Sequence, residues 1–152
     1  MKSPRSYASD TSVSVDRSRA EINHLLREWS CAEIAWTDHL AESRVSVEFT
    51  WHREDALYRV RFTLQVPKKT IPTKHPPYER PQTAKEQEQA ARSVHRLLLL
   101  KLKADLNAAQ AGLAKVEEIF LPWMVDRRGK TVADLLLPRL KEQFAALSPG
   151  AT

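Results

Sequence analysis

The sequence predicts an α+β fold, and three observations predict it: a helical apolar period near the start, three successive period-two segments in the middle, and a return to helical spacing over the second half. Helix, sheet and helix therefore follow one another instead of alternating as βαβ units. A chain of 152 residues buries roughly 70% of its unfolded surface around one core. Neither a disulfide nor a structural metal is then required. The polar ends read as flexible tails, residues 1–12 and 148–152, flanking a single domain at 13–147.

The first helix is marked by Ser14 and Asp16 as caps and by Ile22, Leu25, Leu26 and Trp29 at i, i+3, i+4 and i+7, which predicts helix from Asp16 to Trp29. Strands follow at Ala32, Ile34 and Trp36, then at Val45, Val47, Phe49 and Trp51, then at Tyr58, Val60, Phe62, Leu64 and Val66. Their short connections predict an antiparallel meander. Phase along the strands puts Trp36, Phe49, Trp51, Tyr58 and Phe62 on the buried side with Trp29. Glu33, Ser46, Glu48, Thr50, Arg59, Arg61, Thr63 and Gln65 face the other way, toward water or a partner.

Residues 67–82 hold Pro67, Pro72, Pro76, Pro77 and Pro81 among Lys68, Lys69, Lys74, His75 and Arg80. This predicts a basic, structureless loop too polar to fold alone. Helix formers then run from about Thr83 to Glu118, with Gly112 as the point of bending or stopping. On a helical wheel Lys85, Gln89, Arg92, Arg96 and Lys103 make one polar stripe, and Val94, Leu97, Leu98, Leu102 and Leu106 cover much of the rest. Ile119 to Val125 reads as extended and Asp126 to Lys130 as a turn. Thr131 with Asp134 forms a capping box for a last helix to about Leu147, disturbed near Pro138.

Several chemistries lack their residues. With Gly112, Gly129 and Gly150 as the only glycines, there is no nucleophile elbow, Walker loop or dinucleotide fingerprint. No two of His24, His39, His52, His75 and His95 share a helix at i, i+4; Asp38 with His39, and His52 with Glu54 and Asp55, read as turn residues rather than a metal site. Cys31 is the only cysteine, which excludes an intramolecular disulfide, fits a reducing cytoplasm, and reads as a core residue in preference to a nucleophile. Glu33 and Glu48 beside Arg59 and Arg61 fit a cross-strand ion-pair ladder better than a metal-dependent nuclease. Met1 to Ser6 carries no apolar stretch of a secretory signal, and Leu97 to Leu100 is far short of a membrane span. The expectation is a non-enzymatic protein with no cofactor and no catalytic or metal site.

Charge supplies the functional lead. The net charge is +5, but Leu57 to Lys103 holds eleven Lys and Arg against three Glu, so that stretch carries +8 and the remainder −3. Arg59, Arg61, Lys68, Lys69, Lys74, Arg92, Arg96 and Lys103 are the candidate phosphate-contacting residues of a basic face for DNA or RNA. Such binding would be electrostatic and weakly sequence-selective. A solvated basic face is the bland alternative, and Tyr78 is the one loop aromatic for base stacking. The rival reading is a protein-interaction module in which the apolar helix Val94 to Leu113 also forms a homo-oligomer interface.

The opening stretch Ala8 to Ile22 and the phrase Val116-Glu117-Glu118-Ile119-Phe120-Leu121-Pro122-Trp123, continuing through Thr131-Val132-Ala133-Asp134 to Leu140, resemble a family of small uncharacterised proteins of bacteriophages and prophages. The resemblance implies a mobile-element origin. It implies no activity, and no functional residue is carried over; Leu40 to Trp51 and the proline-rich loop depart from the pattern. In that context the polar residues Tyr7 to Ser14 form either a leader to a capped helix or a segment that orders on a partner.

Overall fold

Ser14 starts the first helix by accepting a hydrogen bond from the Arg17 amide, and α1 runs Val15–Glu28 with Ile22 and Leu26 fully buried. This and all that follows is read from a computed structural model, which describes residues 8–145. The predicted tail at 1–7 and 148–152, and the end of the last helix at Leu147, lie outside the described residues. Residues 8–11 lie on the second helix: Ala8 is buried, the Ser93 hydroxyl donates to its carbonyl at 3.0 Å, and Gln89 Nε2 donates to the carbonyls of Ser9 and Thr11.

The meander forms as predicted, with β1 (Cys31–His39), β2 (Arg44–Arg53) and β3 (Ala56–Gln65) antiparallel in the order β1-β2-β3. One prediction within it fails. Ala32 is exposed, and Cys31 takes the core position opposite Trp51. The cause is a bulge between Ala32 and Ala35, where Glu33 sits at φ +49°. One extra residue reverses the parity of the strand, so Cys31 before the bulge and Ile34 and Trp36 after it share the same face.

In the proline-rich loop, the expectation of no structure gives way to a small hairpin: β4 (Ile71–Pro72) pairs with β5 (Glu79–Arg80), and the Thr73 hydroxyl donates to the His75 carbonyl. Arg80 and Glu86 then close a fork onto the next helix. That helix, α2 (Ala84–Gln110), opens with a full Thr83/Glu86 capping box and stops where Gly112 adopts φ +77°. His95, Leu98, Leu99, Leu102 and Leu106 face inward. With Ile22, Leu26, Val47, Phe49, Trp51, Val60, Phe62 and Phe120 the four leucines form a core between the helix layer and one face of the sheet.

From Ile119 to Val125 the chain does not run extended throughout as predicted. It makes a short helix, α3 (Val116–Phe120), and a 3-10 turn at Leu121–Trp123, because Glu118 caps the Lys115 amide and Pro122 is already set for a helical φ. Only Met124 and Val125 are extended, bridging the β3 edge through the Val125 amide to the Arg59 carbonyl at 2.8 Å. Asp126 accepts from the amides of Arg128 and Lys130 to fix the following turn. The predicted Thr131/Asp134 box then starts α4 (Val132–Ala145), which continues through Pro138 without a break.

Candidate functional site

Three features compete for the role: the predicted basic residues, a buried network around His95, and the surface of α4. The predicted basic residues do not share one face. Arg59 and Arg61 stand on the sheet side opposite the core, whereas Arg92, Arg96 and Lys103 belong to the helix layer on the other side.

Most of these charges are also internally matched. Glu48 accepts from Arg59 Nε at 3.1 Å and from Arg61 Nε at 2.9 Å, the ion-pair ladder expected from the strand phases. Burial pushes the Glu48 carboxyl up, but the hydrogen bonds and charges of both guanidiniums outweigh this and hold it below its ordinary value. Glu21 of α1 likewise meets Arg96 at 3.1 Å, Lys103 at 3.9 Å and Arg17 at 3.3 Å. Arg92 pairs with Glu88 one helical turn away. Lys68, Lys69 and Lys74 are exposed in the loop and make no ion pair among the described residues.

The sequence reading treated Arg127, Arg128 and Lys130 as mere turn residues. Arg61 Nη1 donates to the Gly129 carbonyl at 2.9 Å, which seats this turn beside the Arg59 and Arg61 pair. Among the described residues the side chains of Arg127, Arg128 and Lys130 carry no ion pair of their own. Their signal was present as three cations within four positions, but only the fold shows that they adjoin the strand arginines.

His95 is 2% exposed, and its ring stacks on Trp36 with centroids 5.5 Å apart. Arg19 Nε can only donate, and it lies 3.1 Å from His95 Nε2, so that nitrogen accepts and Nδ1 carries the proton to the Ala91 carbonyl at 2.7 Å. Burial above all holds the imidazole below its ordinary pKa, with the Arg19 charge adding to this and the Ala91 bond opposing it. Arg19 continues to Asp38 Oδ1 at 2.6 Å, and this contact holds the Asp38 carboxyl low. A cleft of about 290 Å³ opens beside the network, lined by Val15, Val45, Val66 and Lys68 among others. Both ring nitrogens are satisfied by the protein, so the arrangement locks α1, α2 and β1 together and leaves no base for a substrate. The Cys31 thiol is pushed up to about 12 by burial and is no nucleophile at neutral pH. Among the described residues no three His, Cys, Asp or Glu are placed to hold a metal ion, and no helix is long and apolar enough to cross a membrane.

The surface of α4 is different in kind. Leu135, Leu136, Leu137, Leu140 and Phe144 are all exposed, from 40% at Leu140 to 63% at Phe144, and no residue of the helix is buried. Leu136, Leu137, Leu140 and Phe144 fall with Ala133 within about 100° of the helix circumference. Its main contacts with the rest of the chain are to the 3-10 turn at Leu121–Trp123. Beside that turn lies an apolar groove of about 490 Å³ between β3 and α2, walled by Phe62, Leu64, Val94, Leu97, Leu98 and Trp123. The helix expected to offer an interface, Val94 to Leu113, instead places most of its leucines in its own core, leaving Leu97 and Leu113 exposed. Comparison with protein-family models, with curated proteins and with solved structures gives no match to this chain.

Proposed function

We propose that the chain is a non-enzymatic interaction protein of a phage or mobile element, working in the cytoplasm, and that its principal contact surface is the apolar face of α4. The origin rests on the resemblance of the Ala8–Ile22 and Val116–Leu140 stretches. The contact surface rests on one observation: four large apolar side chains, Leu136, Leu137, Leu140 and Phe144, line one side of a helix and are each at least 40% exposed. Contiguous exposed apolar surface of this kind on a soluble domain marks a site of association. A 14-residue helix with Pro138 inside it also gains little from propensity, and in water helices of such length need tertiary packing to persist.

The test compares the wild type with a Leu137→Asp/Leu140→Asp variant in sedimentation velocity and in affinity capture from host extract. Loss of association by the variant, with an unchanged unfolding midpoint, is expected. Identical behaviour of the two proteins overturns the reading.

Nucleic-acid binding stands as the second reading, favoured by the Arg61 contact that adds the unpaired Arg127, Arg128 and Lys130 to the sheet edge. These three with Arg59 and Arg61 make up to about five phosphate contacts, giving a log K against log salt slope of about −4 to −5 on duplex DNA. Replacing Arg127, Arg128 and Lys130 by Ser should weaken DNA and RNA binding in a fluorescence-anisotropy salt series more than replacing Lys68, Lys69 and Lys74. The absence of any binding at low salt rejects it.

A further inference from the structure

We propose that the cleft beside the His95 network binds a small organic acid, a single carboxylate carried on an apolar body. The inference is independent of the α4 face and of the cations at the sheet edge.

Three observations lead to it. The first is the lining. Val15 of α1, Val45 of β2, Val66 and Pro67 just after β3, and Ala91 of α2 give the cleft apolar walls drawn from both layers of the fold. Small-molecule sites have this composition, mostly apolar with a few polar groups that fix orientation. At about 290 Å³ the cleft has roughly twice the volume of a cavity that takes benzene, which suits a guest of about ten to twelve non-hydrogen atoms.

The second is charge. Arg19, Arg44 and Lys68 line the cleft, and Asp38 is the one carboxylate among the described lining residues. Asp38 is taken by Arg19 at 2.6 Å, and Arg44 Nη2 meets Glu42, outside the lining, also at 2.6 Å. Lys68 makes no ion pair among the described residues, so one positive charge is left over. One carboxylate balances it, whereas a dianion would bring a second charge with no counterpart.

The third is an unmet donor. Arg44 Nε is buried and has no acceptor among the described residues. A buried donor without an acceptor is unfavourable, and a carboxylate in the cleft that Arg44 lines supplies one. Lys68 and Arg44 then share the carboxylate through charge-assisted hydrogen bonds, with the apolar body against Val45, Val66 and Ala91. Both His95 nitrogens are already satisfied, so the role is binding and not turnover.

The experiment titrates the full-length protein with phenylacetate and with octanoate in 15N–1H correlation spectra. Phenylacetamide, acetate and inorganic phosphate serve as controls that lack the charge, the apolar body or both features together. At least one of the two acids should shift the amides of Val15, Val45, Lys68 and Ala91 along a saturating curve with Kd about 1 mM or tighter. Octanoate alone identifies a flexible acyl body and phenylacetate alone a planar one. Lys68→Gln, at an exposed and unpaired residue, should weaken the acid about tenfold and leave phenylacetamide unchanged, with the same unfolding midpoint. Arg44→Lys keeps the charge but removes Nε, and should also weaken the acid. Phenylacetamide binding as tightly as phenylacetate overturns the carboxylate. Acetate or phosphate binding as tightly as either acid overturns the apolar body. Neither acid shifting these amides at about 10 mM, ten times the expected Kd, overturns the site.

Discussion

The second and fourth helices are both rich in leucine, yet they sit in opposite circumstances. In α2, Leu98, Leu99, Leu102 and Leu106 are between 0 and 4% exposed; in α4, Leu135, Leu136, Leu137 and Leu140 are at least 40% exposed. Apolar periodicity identifies the sticky side of a helix, but whether the same chain supplies the cover depends on where the loops place it. For α2 the cover is the sheet and α1. For α4 the main cover among the described residues is the turn at Leu121–Trp123.

The largest test of this contrast is a pair of truncations. Leu102→Ala should cost about 2–5 kcal/mol in urea unfolding, since it opens a cavity in a closed core. Leu140→Ala should cost within about 0.5 kcal/mol at concentrations where the protein is monomeric. Similar losses from the two would mean that α4 has a cover within its own chain.

A second test concerns pH. His95 belongs to the covered side of α2, and its pKa is depressed in the fold, first by burial. Its contribution is therefore complete above the ordinary imidazole value of about 6.5 and is lost as pH falls through the depressed value. The urea midpoint should decline as pH falls below about 7, before the carboxylate Asp38, itself held low by Arg19, begins to titrate. His95→Leu should start from a lower midpoint, because it orphans Arg19 Nε, and should show a flatter slope. An unchanged slope would assign the pH dependence elsewhere.

Caps sharpen the contrast further. Thr83→Ala removes half of the α2 capping box and should lower global stability by about 1 kcal/mol. Thr131→Ala removes the equivalent hydroxyl from α4, where the expected result is lost helical circular dichroism with the core transition in place. A small effect is expected on the sheet face, where the charges are half-exposed and paired. Glu48→Gln frees Arg59 and Arg61 at about 0–1 kcal/mol of stability, given that half-exposed ion pairs contribute little. Any polyanion affinity should rise, and anisotropy at low salt reads it.

Much of the fold was legible in the sequence because its elements are locally consistent. Ser14, Thr83 and Thr131 announce their helices, Gly112 ends one, and strand phase alone places Phe49, Trp51 and Phe62 in the core. What escaped depended on non-local geometry. No spacing in β1 reveals the extra residue at Glu33, so Ala32 was placed where Cys31 belongs. No motif links Arg19, Asp38 and His95, which lie 19 and 76 residues apart along the chain. The candidate cations are exposed or half-exposed charges, but their partners Glu21 and Glu48 arrive from other elements. The leucines of α4 were in plain sight, and only their missing cover was not.

The bulge in β1 has one more consequence. By turning Cys31 inward it stores the chain's single thiol behind Trp51, where alkylating reagents reach it only when the first residues of the strand come away from β2. The labelling rate of native protein thus reads the opening equilibrium at that end of the sheet, free of any competing cysteine. The molecule carries its own reporter of how often this edge breathes.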